Sequence, residues 1–340
     1  MRFTSDNTAT VAPEILAAIH EANMGPTAPY DADPWSSRLS EVYSAFFGTE
    51  VAAFAVTTGT AANALALSCM TPPFGAVVCH REAHVNVDEC GAPEFYTGGA
   101  KLLLADGFGA KITPQSLAES LADMRGDVHQ VQPRVLSLTQ ATELGCVYTP
   151  AEVAALAQAA KSRGMSVHMD GARFANALVH LNCHPADITW KAGVDVLCFG
   201  ATKNGALAAE AVVFFNRTMA AEFGLRRKRG GHLLCKGRYI SAQLLAYIET
   251  GLWRRNAERA NRLAQTIAAA VPGRLLYPVE ANEVFLSVGR EGAHQLRAQG
   301  FEFYDWGADG SGQIRLVVSW DQIDIEVEAL AAALQNLPPV

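Results

Sequence analysis

The sequence predicts an α/β protein: a mixed, mainly parallel sheet flanked by helices, followed by a smaller C-terminal α+β domain. Three observations carry this. Short apolar runs alternate with amphipathic helical stretches from Val51 to Phe199, the succession that builds a layered sheet. Two of these runs, Met165 to Met169 and Val194 to Phe199, deliver chemistry at their C-terminal ends: Asp170 with Arg173, and Lys203. Ala206 to Phe215 then reads as a strand returning without a helix between, which makes the sheet mixed.

With 340 residues, 50% hydrophobic and 18% charged, the chain can bury a large core. The expected division is a large domain over residues 1–240 including the N-terminal arm, a connecting helix over 241–271, and a small domain over 272–340. The formal net charge of -7 argues against a general polyanion-binding role, so no nucleic-acid partner is expected. No charged-then-apolar leader opens the chain, and the longer apolar segments hold acids or are too short to span a bilayer. A cytoplasmic, membrane-free protein is expected. Seven cysteines, odd in number and without a C-x-x-C pair, suggest neither a disulfide frame nor a zinc site, and most are expected to be buried.

In chain order, the hydroxyl-rich arm Phe3 to Thr10 precedes a helix begun by Pro13. Gly25 to Pro34 is too rich in proline for helix or central strand and leads into a helix over Ser36 to Phe47. Val51 to Val56 is a buried strand, followed by Thr57-Thr-Gly59-Thr60 and an apolar helix. A small turn at a helix start leaves free N–H groups that hold a phosphate, although an ordinary helix cap has the same composition. Ala76 to Cys79 is the next strand and ends in His80-Arg-Glu-Ala-His84. Two histidines four apart suit a metal poorly without a third ligand, so no metal is expected; a histidine at a strand end can instead lie on an aromatic ring.

Lys101 to Leu104 and Arg134 to Leu138 are further strands, and Thr113 and Thr149 cap helices, the latter in a capping box with Glu152. Arg226 to Arg229 is a basic run readable as a solvated face or as an anchor for one phosphate. Lys236 to Val271 is mainly helical. Strands over Glu283 to Val288 and Gln313 to Ser319 and helices over Gly292 to Gln299 and Ile323 to Leu337 build the small domain. Arg315, alone in an apolar strand, needs an anion: a structural carboxylate or a substrate carboxylate.

A carboxylate at one strand end and a lysine at the next suit pyridoxal 5'-phosphate, which needs a lysine Schiff base and an acidic partner for its ring nitrogen. Strand ends carry polar residues in many α/β proteins, so the pair alone does not decide. No G-x-G-x-x-G follows the first strand, which disfavours a dinucleotide-binding oxidoreductase.

Together these segments resemble the threonine aldolases of the fold-type I pyridoxal-phosphate enzymes, above all the low-specificity L-threonine aldolases. The resemblance runs from Ser5-Asp6-Asn7-Thr8 to Arg315 and rests most on His-Met-Asp170-Gly-Ala-Arg173 and Gly-Ala-Thr-Lys203-Asn-Gly. It implies that Lys203 carries the cofactor, Asp170 meets its ring nitrogen, His84 stacks on the ring and acts in catalysis, and Gly59 and Thr60 bind phosphate. It also implies that Ser5, Arg173 and Arg315 hold the substrate carboxylate, Arg173 lying near the cofactor too. Tyr30 and Arg229 resemble residues that enter the site from a neighbouring subunit, toward substrate and cofactor respectively, in a homodimer at least and commonly a tetramer.

One segment departs from the family. Where many threonine aldolases read Glu-Asn-Thr-His, this chain reads Thr139-Gln-Ala-Thr142-Glu143, so the partner of the substrate β-hydroxyl falls to Thr142, Glu143, His84 or a water. The implied reaction is cleavage of a β-hydroxy-α-amino acid to glycine and an aldehyde. A β-eliminating lyase or aminotransferase of the same fold, and a non-catalytic binding protein of this fold, are the alternatives.

Overall fold

The computed structural model describes residues 1–338. Seven strands form the main sheet: β1 (Ala52–Val56), β2 (Gly75–His80), β3 (Lys101–Ala105), β4 (Gln132–Thr139), β5 (Ser166–Gly171), β6 (Val196–Gly200) and β7 (Glu210–Phe214). Their order is β1-β7-β6-β5-β4-β2-β3. The run from β6 to β3 is parallel, while β7 is antiparallel to both β6 and β1. The mixed sheet expected from the Ala206 to Phe215 segment is therefore present.

Because side chains alternate across a strand, each strand feeds two cores. Leu136, Val167, Met169, Leu197 and Phe199 point to one face, where they pack with the helices Pro34–Phe47, Pro150–Lys161, Phe174–Leu181 and Arg238–Glu249. Val196, Cys198, Val212 and Phe214 point to the other, against Ala62, Leu65 and Ala66 of the helix Gly59–Met70. Covering both faces leaves the C-terminal strand ends as the place where polar side chains converge.

Local chemistry sets the helix starts. Thr149 and Glu152 form the reciprocal capping box expected of them. The helix expected from Ser36 begins two residues earlier, because Pro34 occupies its first turn and the Asp33 side chain accepts the amides of Trp35 and Ser36.

The small domain carries an antiparallel sheet of β8 (Glu283–Ser287), β9 (Tyr304–Trp306) and β10 (Gln313–Val317), in the order β8-β10-β9. The first residues of the arm, placed with the large domain on sequence grounds, pack here. Phe3 is fully buried in the small core, its amide donates to Glu302 O at 2.8 Å, and its carbonyl accepts from Val317 N at 2.9 Å. A phenylalanine needs an apolar cavity, and this core supplies one. The connecting helix is two helices, Arg238–Glu249 and Leu252–Ala270, separated at Gly251, whose φ of 69° is left-handed. The second carries Leu252 and Ala257 into the large core and Leu263 and Ile267 into the small one.

Among the described residues no helix is long and apolar enough to cross a membrane, and no cluster of His, Cys, Asp and Glu is placed to hold a metal ion. All seven cysteines are free; Cys79, Cys146 and Cys198 are buried, fewer than expected, and Cys90 and Cys235 are exposed.

Candidate active site

Asp170 ends β5 as a buried carboxylate with both oxygens occupied. Oδ1 accepts from Ala172 N at 3.0 Å and Oδ2 from Asn63 Nδ2 at 2.8 Å. Asn63 stands in the helix after β1, so this bond ties that helix to the acid. Gly171 cannot be larger: a Cβ there would lie 2.7 Å from Cys198 O.

Lys203 follows β6 in a single helical turn, Thr202–Asn204. It is half-buried, and among the described residues its amine has neither a hydrogen-bond nor an ion-pair partner. Its positive charge is felt by Asp6, His84 and Glu210. Glu210, opposite on β7, accepts the Thr202 hydroxyl at 2.5 Å, and burial pushes its carboxyl up to about 7.

The helix after β1 starts at Gly59, with the Thr58 hydroxyl accepting Ala61 N at 3.1 Å. The amides of Gly59 and Thr60 have no acceptor among the described residues, and no atom crowds the Gly59 Cα. Free amides at a helix start are an anion cradle. The cap is thus made by Thr58, and the Gly59 and Thr60 amides stay free beside it.

His84 opens a short helix, His84–Val87, beyond β2. Its backbone amide donates to Glu143 Oε1 at 2.9 Å, and its ring Nδ1 lies 2.9 Å from Glu89 Oε1. The hydrogen bond to Glu89, against the effect of burial, holds the imidazole above its ordinary value. Neither Glu89 nor Asn63 was singled out in the sequence; only the Asp or Glu after a strand-end histidine hints at such a partner. His80 is committed elsewhere, its Nε2 lying 3.1 Å from Gly107 O and its Nδ1 accepting Glu82 N at 3.0 Å.

Arg173 is buried and bidentate with Asp6: Nε donates to Oδ2 at 2.8 Å and Nη2 to Oδ1 at 3.0 Å. Its Nη1 lies 3.3 Å from Glu283, and Arg315 Nη2 lies 3.4 Å from the same carboxylate. Burial disfavours the Asp6 charge, but Arg173 and then Lys203 outweigh it and hold its carboxyl low. Arg315 therefore has a structural carboxylate, yet its Nε is buried without a partner. Ser5 caps the turn that presents Asp6, accepting Asn7 N at 3.2 Å.

Two expected residues lie apart. Tyr30 is half exposed at the surface with the Lys228 ammonium 4.6 Å from its ring, and the adjacent Asp31 pairs with Arg227. Arg229, also exposed, ends the same basic helix. Among the described residues, neither has a hydrogen bond or ion pair to Asp170, Lys203 or His84.

Thr142 does not face solvent: it is wholly buried, its hydroxyl donating to Gly109 O at 2.7 Å and accepting Cys146 N at 3.2 Å, so its one donor is spent inside the loop. The neighbouring Glu143 has the opposite character: Oε2 is buried without a partner, and burial, with Asp170 nearby, pushes the carboxyl up to about 7. A cavity of about 600 Å³ opens beside this loop between His80, Gly109, Leu144 and Tyr277, and Lys203 does not line it.

An unpaired amine, a buried carboxylate tied to the helix after β1 and two free amides at the start of that helix are the donor set that an aldehyde phosphate with a basic ring nitrogen requires. The fold and this set define the class: a fold-type I enzyme with a site suited to pyridoxal phosphate. The chain belongs to the beta-eliminating lyase family, whose description matches residues 2–291. It is 45% identical over 98% of its length to a low specificity L-threonine aldolase of a Pseudomonas species, covering 97% of that protein. It is 46% identical to the low specificity L-threonine aldolase of Pseudomonas aeruginosa, over 96% of this chain and 94% of that one. Among solved structures, a Leishmania major threonine aldolase superposes with a TM-score of 0.92 at 25% identity, over 98% of both chains. A Sphingomonas wittichii serine palmitoyltransferase shares the fold, with a TM-score of 0.72 at 13% identity, over 98% of this chain and 86% of that one.

Proposed function

We propose that the protein is a pyridoxal-phosphate-dependent aldolase that cleaves L-threonine, L-allo-threonine and related β-hydroxy-α-amino acids such as phenylserine to glycine and an aldehyde. The observation that carries this is the near-full-length likeness, at 45% and 46% identity, to two low specificity L-threonine aldolases.

The site residues take the following roles in this reading. Lys203 holds the cofactor, Asp170 faces its ring nitrogen, and the Gly59 and Thr60 amides receive its phosphate. When bound, pyridoxal phosphate supplies the electron sink for the breaking Cα–Cβ bond. The substrate carboxylate goes to Arg315 and Ser5, with Arg173 fixed alongside by Asp6 and positioned near the cofactor. Holding the carboxylate turns the Cα–Cβ bond, rather than Cα–H, toward the ring face, which selects aldol cleavage over transamination. His84 takes the β-hydroxyl proton.

Tyr30 and Arg229, exposed in one chain, complete the neighbouring subunit's site in a homodimer or a tetramer of two dimers. The domain boundaries become residues 5–240 for the large domain, with the first residues serving the small one, and a cytoplasmic location fits the composition.

The cofactor-saturated protein should release acetaldehyde and glycine from L-threonine or L-allo-threonine, and benzaldehyde from phenylserine. Pyruvate with ammonia, or a keto acid, in place of those aldehydes would replace this reading with a β-eliminating lyase or an aminotransferase.

A further inference from the structure

His84 is held at two points, and only one of them is backbone. Its side chain is partly exposed, at 39%, while the Glu89 side chain behind it is fully buried at 0%. Glu89 Oε1 receives two contacts, His84 Nδ1 at 2.9 Å and Asn63 Nδ2 at 2.9 Å, and Asn63 Nδ2 also reaches Asp170 Oδ2 at 2.8 Å. Glu89 Oε2 is buried without a partner. The result is one continuous polar line, His84 to Glu89 to Asn63 to Asp170, running behind the site.

A fully buried carboxylate is costly unless it performs a task, because desolvation opposes its charge. We infer that Glu89 is a positioning residue for the reaction: it fixes the His84 ring with Nδ1–H donating to Oε1, leaving Nε2 facing the substrate as the proton acceptor. This rests on the aldolase reading above. In that step Nε2 takes the β-hydroxyl proton and the O–H electron pair becomes the second bond of the aldehyde carbonyl. The Cα–Cβ pair remains with the amino-acid fragment until a proton adds at Cα to give glycine, so His84 ends the step as an imidazolium beside the Glu89 carboxylate. Opposite charge placed there in advance stabilises it.

The charges facing His84 are consistent with this role. Glu89 from behind and Asp170 across the site favour its protonated form, and Lys203 opposes it. Glu143 holds the backbone amide and not the ring. The other buried carboxylates have partners of their own: Asp6 has Arg173 and Asn282, Asp33 has the Trp35 and Ser36 amides, Asp170 has Asn63 and Ala172, Glu210 has Thr202, and Glu283 has Arg173 and Arg315. None of them contacts the imidazole.

Glu89→Gln tests the assignment, since the amide oxygen can still accept Nδ1–H and the fold should survive, while the charge is gone. In the cofactor-free protein, the His84 ring resonance, identified by its loss in His84→Asn, should titrate at lower pH in Glu89→Gln than in the wild type. In the holoenzyme, kcat/KM for L-threonine should fall by about tenfold or more, with the acidic limb of its pH profile displaced to lower pH. Glycine α-proton exchange into D2O, which needs no β-hydroxyl acceptor, should fall far less than cleavage. An unchanged His84 titration, or cleavage and exchange falling together without a displaced limb, overturns the role of Glu89. A wild-type enzyme that releases no aldehyde overturns the aldolase reading instead, and the titration still decides whether Glu89 governs His84.

Discussion

Arg173 and Asp6 stand 167 residues apart in the chain and meet as a buried bidentate pair, at 2.8 and 3.0 Å. The pair fastens the N-terminal arm to the end of β5, and Asn282 Nδ2 joins it from the small domain at 3.0 Å. Removing one partner would leave a buried charge uncompensated. Asp6→Ala should therefore lower stability by about 3–5 kcal/mol in urea unfolding, whereas a loss below about 1 kcal/mol would mean that Arg173 finds another anion.

Asp170 is committed to Asn63 and to the Ala172 amide, so its orientation does not depend on the cofactor. Asp170→Ala should keep the fold, by circular dichroism, and lower kcat/KM for L-threonine on the order of 10²–10³-fold through lost charge stabilisation. Lys203→Ala should abolish the borohydride-sensitive visible absorbance altogether. Retention of that band in Lys203→Ala would move the cofactor to another amine.

Glu210 carries a pH dependence of its own. Unfolded, its carboxyl ionises near 4.5; buried beside Thr202 it keeps its proton up to about 7. Between those values the folded chain binds more protons than the unfolded chain, so this group's contribution to stability is greatest at low pH and is lost as pH rises. Unfolding of cofactor-free protein should show Glu210→Gln gaining on the wild type by up to about 1.4 kcal/mol per pH unit across that window. A difference independent of pH would show that Glu210 is already ionised in the fold.

The exposed Tyr30 and Arg229 predict a shared site. Lys203→Ala and Arg229→Ala proteins, each inactive alone, should regain part of the wild-type activity when mixed and allowed to exchange subunits, because one of the two sites in a mixed dimer is then intact. No recovery, with exchange demonstrated by mass spectrometry, would place Arg229 outside the neighbouring site.

Much of the site is legible because its residues sit where local pattern ends. Asp170 and Lys203 terminate apolar runs, and Gly59-Thr60 opens a helix; strand period and helix capping act over a few residues, so the sequence displays them. Thr142 illustrates the opposite case. As a hydroxyl next to Glu143 in a strand-end loop it reads as accessible, and only the folding of Gly109 and Cys146 around it shows it buried with its donor spent.

By itself, then, the sequence determined the α/β sheet with its returning strand, the acid and lysine at adjacent strand ends, and the family. Tertiary structure alone decided that Phe3 of the arm enters the small core, that Arg173 answers to Asp6 and Arg315 to Glu283, and that Glu89 and Asn63 join His84 to Asp170. The reason is physical: periodicity says which side chains are buried, but a buried charge or amide takes whichever partner packing brings within about 3 Å, and that partner has no fixed spacing in the chain.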